Sequence, residues 1–212
     1  MKRTLFIRSP RWSTREDYCI SLSALLTLNQ RKRAYGLLRK GLAQRSLSGL
    51  FCTELLLQLS LLLGVPLMLE GLKYLQSLRK RTVGRPGAIS SRGAFRKGTS
   101  ALKAVYGDQA EKLLQRLDDL HPGLARRVCE DEYGQILSRT GLSFREREFI
   151  NITVLFVQRY DAQLYSHLRG ATRAGVDPRT LETLVRLLAR STRRPSASAL
   201  AMLRTIAGSD KA

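Results

Sequence analysis

The chain has 212 residues, 43% of them apolar, and a formal charge of +20. That length accommodates one domain or two small ones with a substantial buried core, and the apolar fraction excludes wholesale disorder. The charge comes from 28 arginines against 9 lysines, spread along the whole length. It favours anionic partners in general, whether nucleic acid, anionic lipid or small carboxylates and phosphates. Guanidinium groups prefer planar, bidentate partners among these.

Helical periodicity dominates from the start, and no alternating strand pattern stands out. Glu16 to Leu28 and Lys32 to Gln44 read as two helices, and Phe51 to Leu63 as a strongly apolar third that stops at Gly64-Val65-Pro66. Leu67 to Leu78 follows with its apolar residues on one face. The longest apolar run, Leu55 to Leu69, is interrupted by Gln58, Ser60, Gly64 and Pro66 and falls short of the ~20 residues of a membrane span. Residues 79–98 carry seven basic residues, no acidic one and four glycines, the pattern of a linker or exposed basic loop. Ser100 to Leu120 reads as one or two helices, and Pro122 at a first helical position opens another that runs to about Leu137. Ser143 and Glu146 form an S-x-x-E capping box for the next helix, which breaks at Arg159-Tyr160-Asp161. Asp161 is placed to cap the helix beyond, Gly175 to end it, and Asp177-Pro178 to begin another.

Cys19, Cys52 and Cys129 are odd in number, widely spaced and without a CxxC pair, which argues against a disulfide framework or a zinc site and fits a reducing compartment such as the cytoplasm. The basic N-terminal stretch lacks the apolar segment of a secretory signal.

The two halves read as an internal repeat. Arg15-Glu16 aligns with Arg147-Glu148 at an offset of 132, which then settles at 129, with Leu55 against Leu184 and Pro66 against Pro195. The expected architecture is all-α: a degenerate first module at 13–80, a basic linker at 81–98, and a more complete second module at 99–207. In this alignment Tyr35 stands where the second copy has His167, so only the second copy holds both an acid and a base.

The stretches LHPGLARRVCEDEYGQILSRTGLS at 120–143, REREF at 145–149 and QLYSHLRGATRAGVD at 163–177 resemble the carboxymuconolactone decarboxylase family, which shares the alkyl hydroperoxidase D fold. CTELLLQLSLLLGVPLMLEGL at 52–72 is similar to the family's late helix and its Gly-x-Pro break. The resemblance implies an oligomer and a site made by a helix-opening glutamate and a histidine on the next helix, here Glu148 and His167. The peroxidase branch places a CxxC pair before that histidine, and here those positions are Tyr160 and Gln163. Without thiols, peroxidase chemistry by that route has no nucleophile.

What the resemblance implies is cofactor-free, metal-free decarboxylation of a small unsaturated lactone acid. His167 is the candidate proton shuttle, Glu148 its orienting partner, and Arg147 or Arg159 a carboxylate clamp. Tyr160, Gln163 and His167 share one face near a helix N-terminus, where an anion is favoured. Two rival readings compete with this one. One is a non-catalytic oligomeric scaffold, since a helix-opening glutamate and a lone helical histidine also occur for purely structural reasons. The other is a nucleic-acid-binding protein; it ranks lower because the basic 79–98 segment offers only Phe95 for base stacking.

Overall fold

A computed structural model describes residues 6–78 and 91–209. Among the described residues the fold is all-α, as expected. The first four helices are α1 (Thr14–Thr27), α2 (Arg31–Ala43), α3 (Gly49–Leu63) and α4 (Val65–Ser77). Gly64 at φ +85° separates α3 from α4, a conformation that costs glycine little, and Pro66 sits in the first turn of α4, where a missing N–H is harmless.

Most of the expected basic linker lies outside the described residues. Its last part does not behave as a linker: Ala94 to Gly98 form the first turns of α5 (Ala94–Tyr106), with Ala94 and Gly98 buried. Basic residues there lie on the outer face of an amphipathic helix, which a charge count alone cannot separate from a loop. A 3-10 turn (Gly107–Gln109) leads into α6 (Ala110–Leu120).

The helix expected from Pro122 to Leu137 divides in two. Pro122 precedes a left-handed Gly123, α7 spans only Leu124–Arg127, and a π-helix continues from Val128 to Leu137. This π-segment presses its backbone against α5. A Cβ on Gly98 would sit 1.7 Å from the Cys129 carbonyl oxygen, and one on Gly134 would sit 2.1 Å from that of Ala94. Two glycines facing each other across the contact allow an approach that any side chain would forbid.

The remaining helices are α8 (Phe144–Gln158), α9 (Asp161–Arg173), α10 (Pro178–Thr192) and α11 (Ala197–Ser209). The Ser143–Glu146 capping box is formed, and Asp177 caps α10 as expected. Asp161 does not cap α9; the N-cap is Tyr160, and the Asp161 carboxylate accepts instead from the Ser198 hydroxyl of α11 at 2.8 Å.

α1 and α8 form the centre, and their contacts are reciprocal. Each begins with a capping box, Ser13–Glu16 and Ser143–Glu146, 130 positions apart, so the register here is 130 and not the expected 132: Glu16 answers to Glu146, and Leu37 rather than Tyr35 stands where the second copy has His167. Arg15 Nε donates to Glu146 at 2.6 Å, and Arg145 Nε donates to Glu16 at 2.5 Å. The same arginines also donate to the carbonyls of Gly141 and Arg11, again 130 apart. Apolar side chains cross in the same way. Trp12, Ile20 and Ala24 enter the core built with α9, α10 and α11, while Leu142, Ile150 and Val154 enter the core built with α2, α3 and α4. A third, smaller core joins α5, α6 and the π-segment through Leu102, Val105, Ala110, Cys129 and Tyr133.

Candidate functional site

α8 ends at Arg159 in the left-handed region, φ +64°, and the chain turns back at once into α9. This hairpin, packed on α5, brings together two side chains 19 residues apart: His167 Nδ1 lies 2.9 Å from Glu148 Oε2. Glu148 is buried and His167 partly so, with side-chain exposures of 3% and 12%. An ionised Glu148 only accepts hydrogen bonds, and opposite it Nδ1 carries the proton. Nε2 has no hydrogen-bond partner among the described residues, which leaves it free to take or give a proton.

Asn151 lies one turn after Glu148 on the same face of α8. Its side-chain amide nitrogen is 3.4 Å from His167 Nδ1, and its carbonyl oxygen accepts from Gln58 Nε2 at 2.8 Å. The i, i+3 relation to Glu148 was a usable sequence signal for Asn151. No local signal pointed to the other neighbours. Tyr106 ends α5 and Tyr133 lies in the π-segment, their hydroxyls 3.5 Å apart. Burial pushes both phenols above the ordinary tyrosine range, and the charge of Glu148 pushes them the same way, so both lie within its electrostatic reach. They therefore stay protonated near neutrality as O–H donors. Glu132, half-buried beside them, is raised above the ordinary carboxylate range chiefly by desolvation, with Arg127 and His167 opposing the shift.

Tyr106 also lines a cavity of about 610 Å³ against α6 and the outer face of α9. Lys112, Arg116, Arg169 and Arg173 are its cations, and Asp161 is the one carboxylate on its wall. Gln163 lines this cavity, whereas Glu148 and His167 do not. The Arg173 guanidinium donates to the Tyr106 carbonyl, which fixes the end of α5 against α9.

The other expected site residues stand elsewhere. Tyr160 is 55% exposed at the helix break, and Arg159 is exposed as the C-cap of α8. Arg147 is buried and turned towards α3. Its guanidinium donates to Gln58 Oε1 at 2.9 Å and to the Arg139 carbonyl at 2.8 Å, and it lies 3.7 Å from Glu54. Glu54 is also held by Arg139 at 2.8 Å. Desolvation lowers the Arg147 pKa while Glu54 raises it, which is the signature of a buried structural ion pair.

All three cysteines are buried, and burial raises each thiol pKa, that of Cys52 to about 12. None has the thiolate character of a redox site. No group of three or more His, Cys, Asp or Glu side chains among the described residues is placed to hold a metal ion. No helix among them is long and apolar enough to cross a membrane.

Residues 122–204 match the family model described as "Carboxymuconolactone decarboxylase family". The match covers 83 of the 212 residues, so this segment is similar to that family. The matched segment runs from just before α7 into α11, so it contains the π-segment, Glu148 and His167, while α1 to α6 lie outside it. No curated protein matches the chain. The all-α architecture is consistent with the alkyl hydroperoxidase D-like fold.

Proposed function

We propose that the second module catalyses cofactor-free decarboxylation, or a closely related proton-transfer reaction, on a small unsaturated lactone acid. The observation that carries this reading is the partly buried Glu148–His167 contact at 2.9 Å, with Nε2 unpaired among the described residues. In the step envisaged, the bond from the substrate's ring carbon to its carboxylate breaks and CO2 leaves. The electron pair delocalises into the conjugated lactone, and a proton from Nε2 of the imidazolium forms the new C–H bond. The Glu148 carboxylate stabilises that imidazolium through Nδ1–H, and solvent returns the proton for the next turnover. O–H groups from Tyr106 and Tyr133 are suited to stabilise the oxyanion character that develops on the lactone. Arg147 is committed to Glu54, so the clamp for an anionic substrate passes to the basic cavity beside Tyr106, which Gln163 and Arg169 of α9 line. The same reading takes 13–80 and 99–207 as related modules, supported by the reciprocal contacts of α1 and α8, and takes the protein as a homo-oligomer.

The test is turnover of carboxymuconolactone-type acids, followed by CO2 release, in the purified chain and in His167→Gln. The expected result is activity in the parent and none in the variant, at an unchanged melting temperature. Equal turnover by a folded His167→Gln protein, or no turnover by the parent, removes the enzymatic reading and leaves the scaffold one.

A further inference from the structure

The first module holds a second cavity, of about 570 Å³, between the N-terminal segment, α1 and α2. Arg8, Arg33 and Lys40 supply its charge, and no carboxylate lines it. Arg8 is partly neutralised by Asp17 at 3.4 Å, and Arg33 is steadied by Gln30 Oε1 at 2.8 Å. Lys40 has no ion-pair partner among the described residues. A concave, cationic surface of this kind concentrates anions.

Tyr18 adds an aromatic face and a hydrogen-bonding group to this cationic surface. It lines the cavity yet is only 3% exposed, with its ring packed on Phe6 at 5.2 Å between centroids. Its hydroxyl makes no hydrogen bond with any described residue, so it is available to a molecule in the cavity. The floor is apolar at Leu37 and open at Gly36, where an added Cβ would meet nothing within 4 Å. Phe6, the Tyr18 ring and Leu37 thus offer flat apolar walls beneath a rim of cations.

The position of this cavity in the fold is informative. Tyr18 lies five residues after the N-cap Ser13, as Glu148 does after Ser143. Leu37 lies seven residues after the N-cap Gln30, as His167 does after Tyr160. A phenol and a leucine therefore occupy the places of the carboxylate and the imidazole. The surroundings keep an affinity for anions and lose the acid–base pair.

We propose that this cavity binds a small planar organic carboxylate without transforming it. Lys40, Arg33 and the Tyr18 hydroxyl hold the carboxylate, and the apolar walls hold the planar body. The site is independent of Glu148 and His167.

Benzoate is the probe, titrated by calorimetry into the full chain carrying His167→Gln, with inorganic phosphate and benzyl alcohol supplying charge alone and ring alone. The expected result is a benzoate-binding component that Gly36→Leu abolishes by filling the floor. Lys40→Ala and Tyr18→Phe should each weaken that component by about tenfold, the worth of one charge-assisted contact. Phosphate and benzyl alcohol should each bind at least about tenfold more weakly than benzoate. Gly36 points into open space and Lys40 is exposed, so both variants keep the fold. The proposal is overturned if no benzoate component is lost in Gly36→Leu and Lys40→Ala, or if phosphate binds as tightly as benzoate. Neither result depends on whether the parent protein turns over a lactone.

Discussion

Glu132 and Arg147 show how two charged side chains within the family-like segment serve different ends. Glu132 is half-buried, and desolvation raises its folded-state pKa above that of an unfolded glutamate, about 4.3. The folded state therefore binds this proton more tightly than the unfolded state does. The associated stability is fully present below the unfolded pKa and is lost as pH rises through the folded one. Glu132→Gln should be more stable than the parent at pH 7 and indistinguishable from it near pH 4, as read by urea denaturation at both values. A gap that does not change with pH would show that desolvation is not what raises this carboxyl. Arg147 fails as a clamp for a reason equally local: its partners Glu54 and Gln58 are buried in α3. Removing one member of a buried ion pair typically costs about 3–5 kcal/mol. Arg147→Met should therefore melt much earlier than the parent, while kcat/KM per folded molecule stays within about twofold. A stable Arg147→Met protein with a raised KM would restore the arginine to the substrate.

Most helix boundaries followed a local signal, with Asp161 and Pro122 as the exceptions. The Ser143–Glu146 box, the Gly64 break and Asp177-Pro178 all act through backbone groups within a few residues, so a sequence displays them directly. The Glu148–His167 pair was legible through the family resemblance, since the unequal helix lengths on either side of the break at Arg159-Tyr160 do not by themselves bring the two together. Tyr106 and Tyr133 were not, because each reaches the site from an element whose position is set by packing alone. The π-segment escaped notice on the same grounds. Its wider winding is stabilised by the backbone contact with α5, and nothing in Val128 to Leu137 announces a period other than 3.6. Gly98→Ala tests that account. A methyl 1.7 Å from the Cys129 carbonyl cannot be relieved by a rotamer change, so α5 and the π-segment must separate. Overpacking typically costs about 1–3 kcal/mol, and the clash here is with backbone, so about 3 kcal/mol is expected, or ~6–12 °C in melting temperature for a chain of this size. Activity should fall with it, since Tyr106 and Tyr133 sit on the two elements forced apart. A neutral Gly98→Ala would mean that the contact is not as close as described.

At the scale of the whole molecule, 37 basic side chains face 17 acidic ones, and the most effective acids are already used. Glu16, Glu54, Glu146 and Glu148 are buried against arginine or histidine, so they stabilise internal joints and do little to neutralise the surface. Most of the remaining cations repel one another across the surface, and that repulsion acts against the compact state. Added salt has two opposed effects. It screens surface repulsion, which stabilises, and it weakens the partly exposed pairs Arg15–Glu146 and Arg145–Glu16 that join α1 to α8. The carboxylates of those pairs are buried and are screened far less than the open surface. Repulsion should therefore dominate as the Debye length shortens from ~30 Å at ~0.01 M to ~8 Å at ~0.15 M salt. Melting temperature should rise over that interval and then level off, in sodium chloride and potassium chloride alike, because screening depends on ionic strength and not on the identity of the ions. A fall over the same interval would show that the two joints between the central helices, and not the surplus of arginine, govern how the fold responds to its own charge.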